Sequence, residues 1–365
     1  MIRALFRKSM EIEGTIRIKD IAKMARVSVG TVDRVIHKRG EVSSDSYKRV
    51  MDILEKTGYK PNLIARSLGN HKTFRLVAVL PDAKQDEYWR MAHEGVLRAE
   101  TEWGQYGISI TVLSFDLYKK SSFRKCFKEA IGLSPDGILT APIFYKDAMD
   151  FFKICESLKI PFAIFNNNIP QTGALTFIGQ NLYDSGTVGA ELLHINQSEP
   201  GTYAILHIYD DIHDAKHLSE KEQGFKNYFS NIANQNNQVL SFDLNVSHVP
   251  TLEKELNVLL IDPDLKGILV TTSKGASIVS KLLEKHGKNG TRMVAYDLLE
   301  ENIIYLKKGI IDFLINQNSR RQAFTGITHL ANYLVFRKDV AATCHFPLEI
   351  ITKSNLDSHL AWLDQ

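Results

Sequence analysis

The chain has 365 residues, with 45 Lys and Arg against 42 Asp and Glu and 44% hydrophobic residues. Its length exceeds one small domain, and its composition is that of an ordinary soluble globular protein rather than a fibrous or disordered one. No apolar run is long enough to span a bilayer, so no membrane partner is expected.

The opening stretch, residues 1–15, is basic but lacks the sustained apolar region of a secretory signal. It reads as a disordered lead-in, with Met10 as an alternative start. Residues 18–36, IKDIAKMARVSVGTVDRVI, then predict two short helices joined by a tight turn at Ala25-Arg26-Val27. Ile18, Ile21, Met24 and Ala25 fall on one face of the first helix. Ser28 is placed to cap the second, and Val32, Val35 and Ile36 return to the core. The outward face of the second helix carries Val29, Gly30, Thr31, Asp33, Arg34 and His37. In a helix-turn-helix such a helix enters the major groove of DNA. A plain helical hairpin is the other reading of the pattern. The next stretch predicts a third helix, with Ser43 as its cap, Val50, Ile53 and Leu54 turned inward, and Gly58 and Pro61 as stop signals.

VSVGTVDRV, VSSDSYKRV, GYKPN and NLIARSLG occur in this order across residues 18–70. Together they resemble the lactose-repressor (LacI/GalR) family of bacterial transcription regulators. The resemblance implies an all-α helix-turn-helix head at 16–60, a hinge helix and linker at 61–74, and a dimerising effector-binding core at 75–365. Charge follows the same division. Residues 1–75 hold 17 basic and 8 acidic residues, and the remainder holds 28 and 34. A basic head on an acidic body suits phosphate contacts at one end.

By position, Arg34 is expected to read guanine, while Asp33 accepts from cytosine or orients Arg34. Arg26, Lys38, Arg39, Ser43, Ser46 and Lys48 are placed to meet phosphates. The family resemblance makes Leu68 a minor-groove wedge supported by Asn62, Ala65 and Arg66. The expected partner is a palindromic double-stranded operator, bound by a homodimer. The C-terminal SNLDSHLAWLDQ is short for a tetramerising heptad segment.

From residue 75 onward, β-rich runs alternate with amphipathic stretches. The runs lie at 75–80, 108–115, 136–141, 161–165, 202–208, 267–272, 292–296 and 312–316. Helices are predicted near 88–103, 123–131, 146–158, 183–195, 219–230, 251–261, 274–286, 299–308 and 319–336. This alternation predicts an α/β core with two parallel sheets flanked by helices. The order is similar to that of periplasmic sugar-binding proteins over about 75–353. That resemblance implies a two-lobed core: lobe 1 about 75–178 and 317–345, lobe 2 about 179–314 and 346–365. The chain would cross between lobes near 178–181, 314–318 and 345–349, with a small-molecule cleft between them.

A sugar presents hydroxyls at its rim and C–H groups on its faces, so its site needs carboxylates, amides and cations around an aromatic wall. Tyr88 and Trp89 supply aromatics where similar proteins hold a sugar ring, although either could simply pack on the core. Asn166, Asn167 and Asn168 stand where the family often has Asp, and a polar turn is their alternative reading. Lys221 occupies the Arg place of the family's R-x-x-G-F pattern and reads by default as a solvated surface lysine. Thr272-Ser273 replaces a common Asn-Asp pair. Asp297 matches a strand-end acid and is the leading effector contact, with capping of the next helix as the alternative. Gln317 matches a glutamine at the interlobe crossing.

The expected effector is a small sugar or sugar derivative, or else a nucleobase or other metabolite acting as corepressor. GxxxxGK, HExxH and GxSxG are missing, so neither a cofactor nor an enzymatic role is expected. A transport protein would lack the head. His213 and His217 beside Asp210, Asp211 and Asp214 could bind a metal, but a polar loop is the preferred reading and no metal is expected. Cys126, Cys155 and Cys344 are odd in number and scattered, which fits a reducing cytoplasm.

Overall fold

A computed structural model describes residues 18–36, 40–57, 73–209, 216–232, 236–246, 249–287 and 290–363. The lead-in, the hinge positions Asn62, Ala65, Arg66 and Leu68, the Gly58 and Pro61 stops, and His37, Lys38 and Arg39 lie outside the described residues. So do Asp210, Asp211, His213 and Asp214 and the side chain of His217. The chain forms two compact units, Met1–Asn70 and His71–Gln365.

In the first unit, helices α1 (Ile18–Ala25), α2 (Val29–Ile36) and α3 (Ser44–Thr57) share a small core of Ile21, Ala22, Ala25, Val32, Val35 and Val50. One inward position differs from the sequence reading. Met24 is exposed and Ala22 is buried instead. The face centred between Ile18 and Ala25 at 100° per residue passes through Ala22, and Met24 falls on its flank. Ile53 and Leu54 pack on this core from its edge.

The second unit opens with β1 (Phe74–Pro81), α4 (Glu87–Trp103) and β2 (Ile108–Phe115). It continues through α5 (Lys120–Gly132), β3 (Gly137–Thr140), α6 (Tyr145–Ser157), β4 (Phe162–Phe165) and β5 (Thr176–Gly179). Then come α7 (Leu182–His194), β6 (Thr202–Tyr209), α8 (Lys216–Ser230), β7 (Gln238–Asn245) and α9 (Val249–Leu260). They are followed by β8 (Leu265–Val270), α10 (Gly275–His286), β9 (Arg292–Tyr296), α11 (Glu300–Lys308) and β10 (Phe313–Asn316). The last elements are α12 (Ser319–Phe336), β11 (Thr343–His345), β12 (Glu349–Ile351) and α13 (Leu356–Leu363).

The strands form two six-stranded sheets, in the orders β11-β5-β4-β3-β1-β2 and β12-β10-β9-β8-β6-β7. Central strands such as β1 are buried on both faces, because helices cover both sides of a parallel sheet. That is why LVAVLP, after the exposed Arg75, reads as a continuous apolar run. The sheets are parallel except at β12, which runs antiparallel to β10. The two parallel sheets expected from the sequence are present, with β12 as an antiparallel edge. The chain passes from the first sheet to the second after β5, returns after β10, and crosses again between β11 and β12. One buried amide ties all three passages. Gln180 Nε2 donates to the carbonyls of Asn316 and Pro347, each at 2.9 Å.

Four strands carried no clear sequence signal. β5, β11 and β12 are three or four residues long. β7 is a sheet-edge strand with mostly exposed or half-buried residues, so QVLSFDLN has no continuous apolar stripe.

Close helix packing shapes the second sheet's cover. A Cβ on Gly186 of α7 would stand 1.8 Å from the Lys221 carbonyl oxygen of α8. Gly186→Ala must push these helices apart, and should cost about 1–3 kcal/mol in urea denaturation. Gly132→Ala, where nothing lies within 4 Å, is the matched control and should be near neutral. Equal midpoints for the two variants would refute the close approach.

Candidate functional site

In the head, Ser28 caps α2: its Oγ accepts the Thr31 N–H at 3.1 Å and lies 2.9 Å from Thr31 Oγ1. Thr31 is therefore engaged by the cap and half-buried. Val29, Gly30 and Arg34 are exposed on α2, with Asp33 half-buried beside them. Arg34 Nε donates to the Gly30 carbonyl at 3.2 Å, which lays its guanidinium along its own helix. Ser43 opens α3, accepting the Ser46 N–H at 3.4 Å. Ser46 Oγ accepts from Ser43 Oγ at 3.0 Å and from Arg49 at 3.4 Å.

In the core, a cavity of about 150 Å³ lies between the two sheets at the ends of several strands. Ligand sites in open α/β sheets lie beyond the carboxyl ends of strands. Seven predicted effector residues line it: Tyr88 and Trp89 on α4, Asn166 and Asn167 after β4, Lys221 on α8, Ser273 after β8, and Gln317 after β10. Tyr88 and Trp89 meet edge to face, with centroids 5.0 Å apart. Asn166 Nδ2 donates to the Tyr88 hydroxyl, and its backbone N–H donates to Gln322 Oε1 at 3.0 Å.

Asp297 stands behind this lining rather than in it. It is 1% exposed. Gln317 donates to it twice, from N at 2.9 Å and from Nε2 at 2.7 Å. Ser273 Oγ also donates to Oδ2. Three protein donors leave a carboxylate with about one further acceptor site. The alternative of helix capping does not hold, because the N-cap of α11 is Leu299. Instead Asp297 adopts φ 65° just after β9. Asn166 and Asn318 share that left-handed conformation, with φ of 70° and 57°. Asn and Asp tolerate it better than most side chains.

Lys221 is not a solvated surface residue; it is 2% exposed. The close α7–α8 approach at Gly186 carries its backbone inward. Its Nζ donates to the Thr271 carbonyl at 3.2 Å and sits 3.4 Å from the Tyr296 ring centroid. Burial pushes its ammonium down to about 7, while the Asp297 carboxylate pulls the other way. The ring face also favours the charged form. Burial raises the Asp297 carboxyl, opposed by Ser273, Gln317 and Lys221.

Several lining residues were not singled out from the sequence. Asp86 and Lys274 belong to the cavity and also clasp the two lobes. Lys274 Nζ donates to the Gln85 carbonyl at 2.7 Å and lies 3.5 Å from Asp86 Oδ2. Nearby, the Glu300 N–H lies 3.2 Å from Glu87 Oε2. Their signal was adjacency: each neighbours a predicted contact, but nothing local says that Lys274 reaches another lobe. Thr271 sits below, with Oγ1 2.8 Å from Nδ1 of the buried His207.

A family model described as bacterial regulatory proteins, lacI family, matches residues 17–62. One described as a periplasmic binding protein domain matches residues 77–338. The chain is 26% identical over 293 residues to the ribose operon repressor of Halalkalibacterium halodurans, covering 77% of this chain and 80% of that one. It is 31% identical over 148 residues to the HTH-type transcriptional regulator RegA of Clostridium acetobutylicum, covering 40% of this chain and 41% of that one. A crystal structure of a putative LacI transcriptional regulator from Bacteroides fragilis superposes with TM-score 0.72 at 28% identity, covering 79% of this chain and 99% of that one. Among the described residues, no helix is long and apolar enough to cross a membrane.

The buried lysine gives a pH signature. Its folded value of about 7 lies below the ordinary lysine value of about 10.4. Between the two, the unfolded chain holds more protons, so this group makes stability rise with pH. Relative to Lys221→Met, the wild type should gain stability from pH 7 to pH 9, by at most about 1.4 kcal/mol per pH unit. Urea titrations at each pH measure this. A constant difference would mean that Lys221 is solvated.

Proposed function

This chain belongs to the lacI family of bacterial regulatory proteins and carries a periplasmic-binding-protein domain, and we propose that it is a repressor binding a palindromic operator as a homodimer under the control of a small sugar. The observation that carries the sugar reading is the cavity lining. Donors and acceptors of both kinds, from Asp86, Asn166, Asn167, Lys221, Ser273 and Gln317, surround the Tyr88–Trp89 wall. Hydroxyls both donate and accept, and sugar C–H faces suit an aromatic wall. The name of the ribose operon repressor points the same way.

Asp297 acts through Gln317 and Ser273, fixing two groups that a ligand would touch. Ligand bound between the lobes biases their closure, and closure biases the dimer geometry that presents two heads to DNA. In the head, Val29, Gly30, Asp33 and Arg34 face base edges, with Ser43 and Ser46 near phosphates. Reading a base requires Arg34 to leave the Gly30 carbonyl.

A nucleobase is the second reading, favoured by the amides of Asn166, Asn167 and Gln317, which suit base edges. A thermal-shift titration of the full chain with monosaccharides, D-ribose first, and with purine bases separates the two. The sugar reading expects a saturable monosaccharide shift, lost in Gln317→Ala; ligand at a hundredfold over Kd adds about 2.7 kcal/mol. A shift with purines alone would replace it. On the DNA side, Arg34→Ala should weaken operator binding by about 1–3 kcal/mol in fluorescence anisotropy while leaving the ligand shift unchanged. Unaltered operator affinity would remove Arg34 from base readout.

A further inference from the structure

A second cavity of about 230 Å³ lies where α4, the first turn of α12 and α13 meet. It is distinct from the cleft, although adjacent residues border the two: Gln317 lines the cleft and Asn318 lines this one. Its walls are the apolar side chains of Phe324, Trp362 and Leu363. Its polar lining consists of Asn318 and the guanidinium groups of Arg98, Arg320 and Arg321, with no carboxylate among the described residues.

Arg98 pairs with Glu102, and Arg320 with Glu94. Arg98 also lies over the Phe324 ring at 5.9 Å, and Arg321 contacts ring faces, with its guanidinium carbon 5.3 Å from the Trp362 centroid and 5.9 Å from that of Phe346. No carboxylate among the described residues forms an ion pair with it. Asn318 is 7% exposed, and its Nδ2 is buried without an acceptor among the described residues. Arg320 Nε is buried in the same condition. These two unmet donors lie behind the lining, and the cation at its surface is Arg321, stacked on an indole.

We propose that this cavity is a second ligand site, for a small flat aromatic carboxylate. The carboxylate would take the exposed guanidinium of Arg321, since guanidinium matches carboxylate in a two-bond fork. The ring would lie against Trp362 and Phe324. Arg98 and Phe324 belong to the first lobe, whereas Leu363 packs on the second lobe's core. A ligand here therefore bridges the lobes at the crossing beside Gln317. The proposal does not depend on the identity of the cleft ligand.

Isothermal titration of benzoate, benzamide and phenyl phosphate into the full chain tests it. Benzoate should bind saturably, with benzamide at least tenfold weaker. Arg321→Gln and Trp362→Ala, both at exposed positions, should each lose at least tenfold in benzoate affinity with an unchanged circular-dichroism spectrum. Gln317→Ala should bind benzoate as the wild type does. No benzoate binding, equal binding of benzamide, or full affinity in both Arg321→Gln and Trp362→Ala would overturn the site. Tighter binding of phenyl phosphate than benzoate would overturn the carboxylate assignment.

Discussion

The buried carboxylate of Asp297 is the constraint on which the cleft depends. A charge taken from water must be met by hydrogen bonds. Here the donors come from two other strand ends: Ser273 follows β8, and Gln317 follows β10. Asp297 itself follows β9, so one carboxylate gathers three neighbouring strand ends. Asn302 reinforces the set from α11, with its Nδ2 2.9 Å from the Ser273 carbonyl and 3.0 Å from that of Tyr296. The first-lobe face is held by a parallel device, in which Asn166 takes the Gln322 side chain on its N–H and donates to the Tyr88 hydroxyl. Groups placed this firmly present fixed donors and acceptors to a ligand, which lowers the ordering cost of binding.

The same network makes the lobes mechanically dependent. Gln317 lies just after β10 in a crossing segment, and the buried Gln180 amide joins that passage to the other two. Lys274 and Glu300 of the second lobe meet Gln85, Asp86 and Glu87 of the first. Any change in lobe angle has to rearrange these contacts. A ligand that touches Gln317 and the Asn166 side at once therefore has differential contact with open and closed states, which is what a conformational switch requires.

Much of this was legible because the signals are local. Apolar runs such as RLVAVL and PFAIF, separated by amphipathic stretches, mark strands covered on both faces. The ordered blocks of the head carried its family. Seven of the residues picked for the cleft do meet there, because loops at the carboxyl ends of parallel strands converge. What escaped depends on distance in space. Lys221 resembles any helical surface lysine until Gly186, far away in sequence, lets its helix sink. Asp297 has the right position but faces Gln317 and Ser273 first. β11 and β12 are too short to carry a periodic signal, and their pairing is set by the crossings around them.

In the function proposed above, cleft occupancy and operator binding are one linked equilibrium. Linkage requires reciprocity: the factor by which a ligand changes DNA affinity equals the factor by which DNA changes ligand affinity. The decisive measurement is fluorescence anisotropy of the full chain on a palindromic fragment selected in vitro, at fixed salt, with and without the monosaccharide that binds most tightly. It is paired with calorimetry of that sugar with and without the fragment. Equal factors of about 5–150 are expected, both falling toward one in Asp297→Ala. A sugar that saturates the cleft and leaves operator affinity untouched would contradict this linkage.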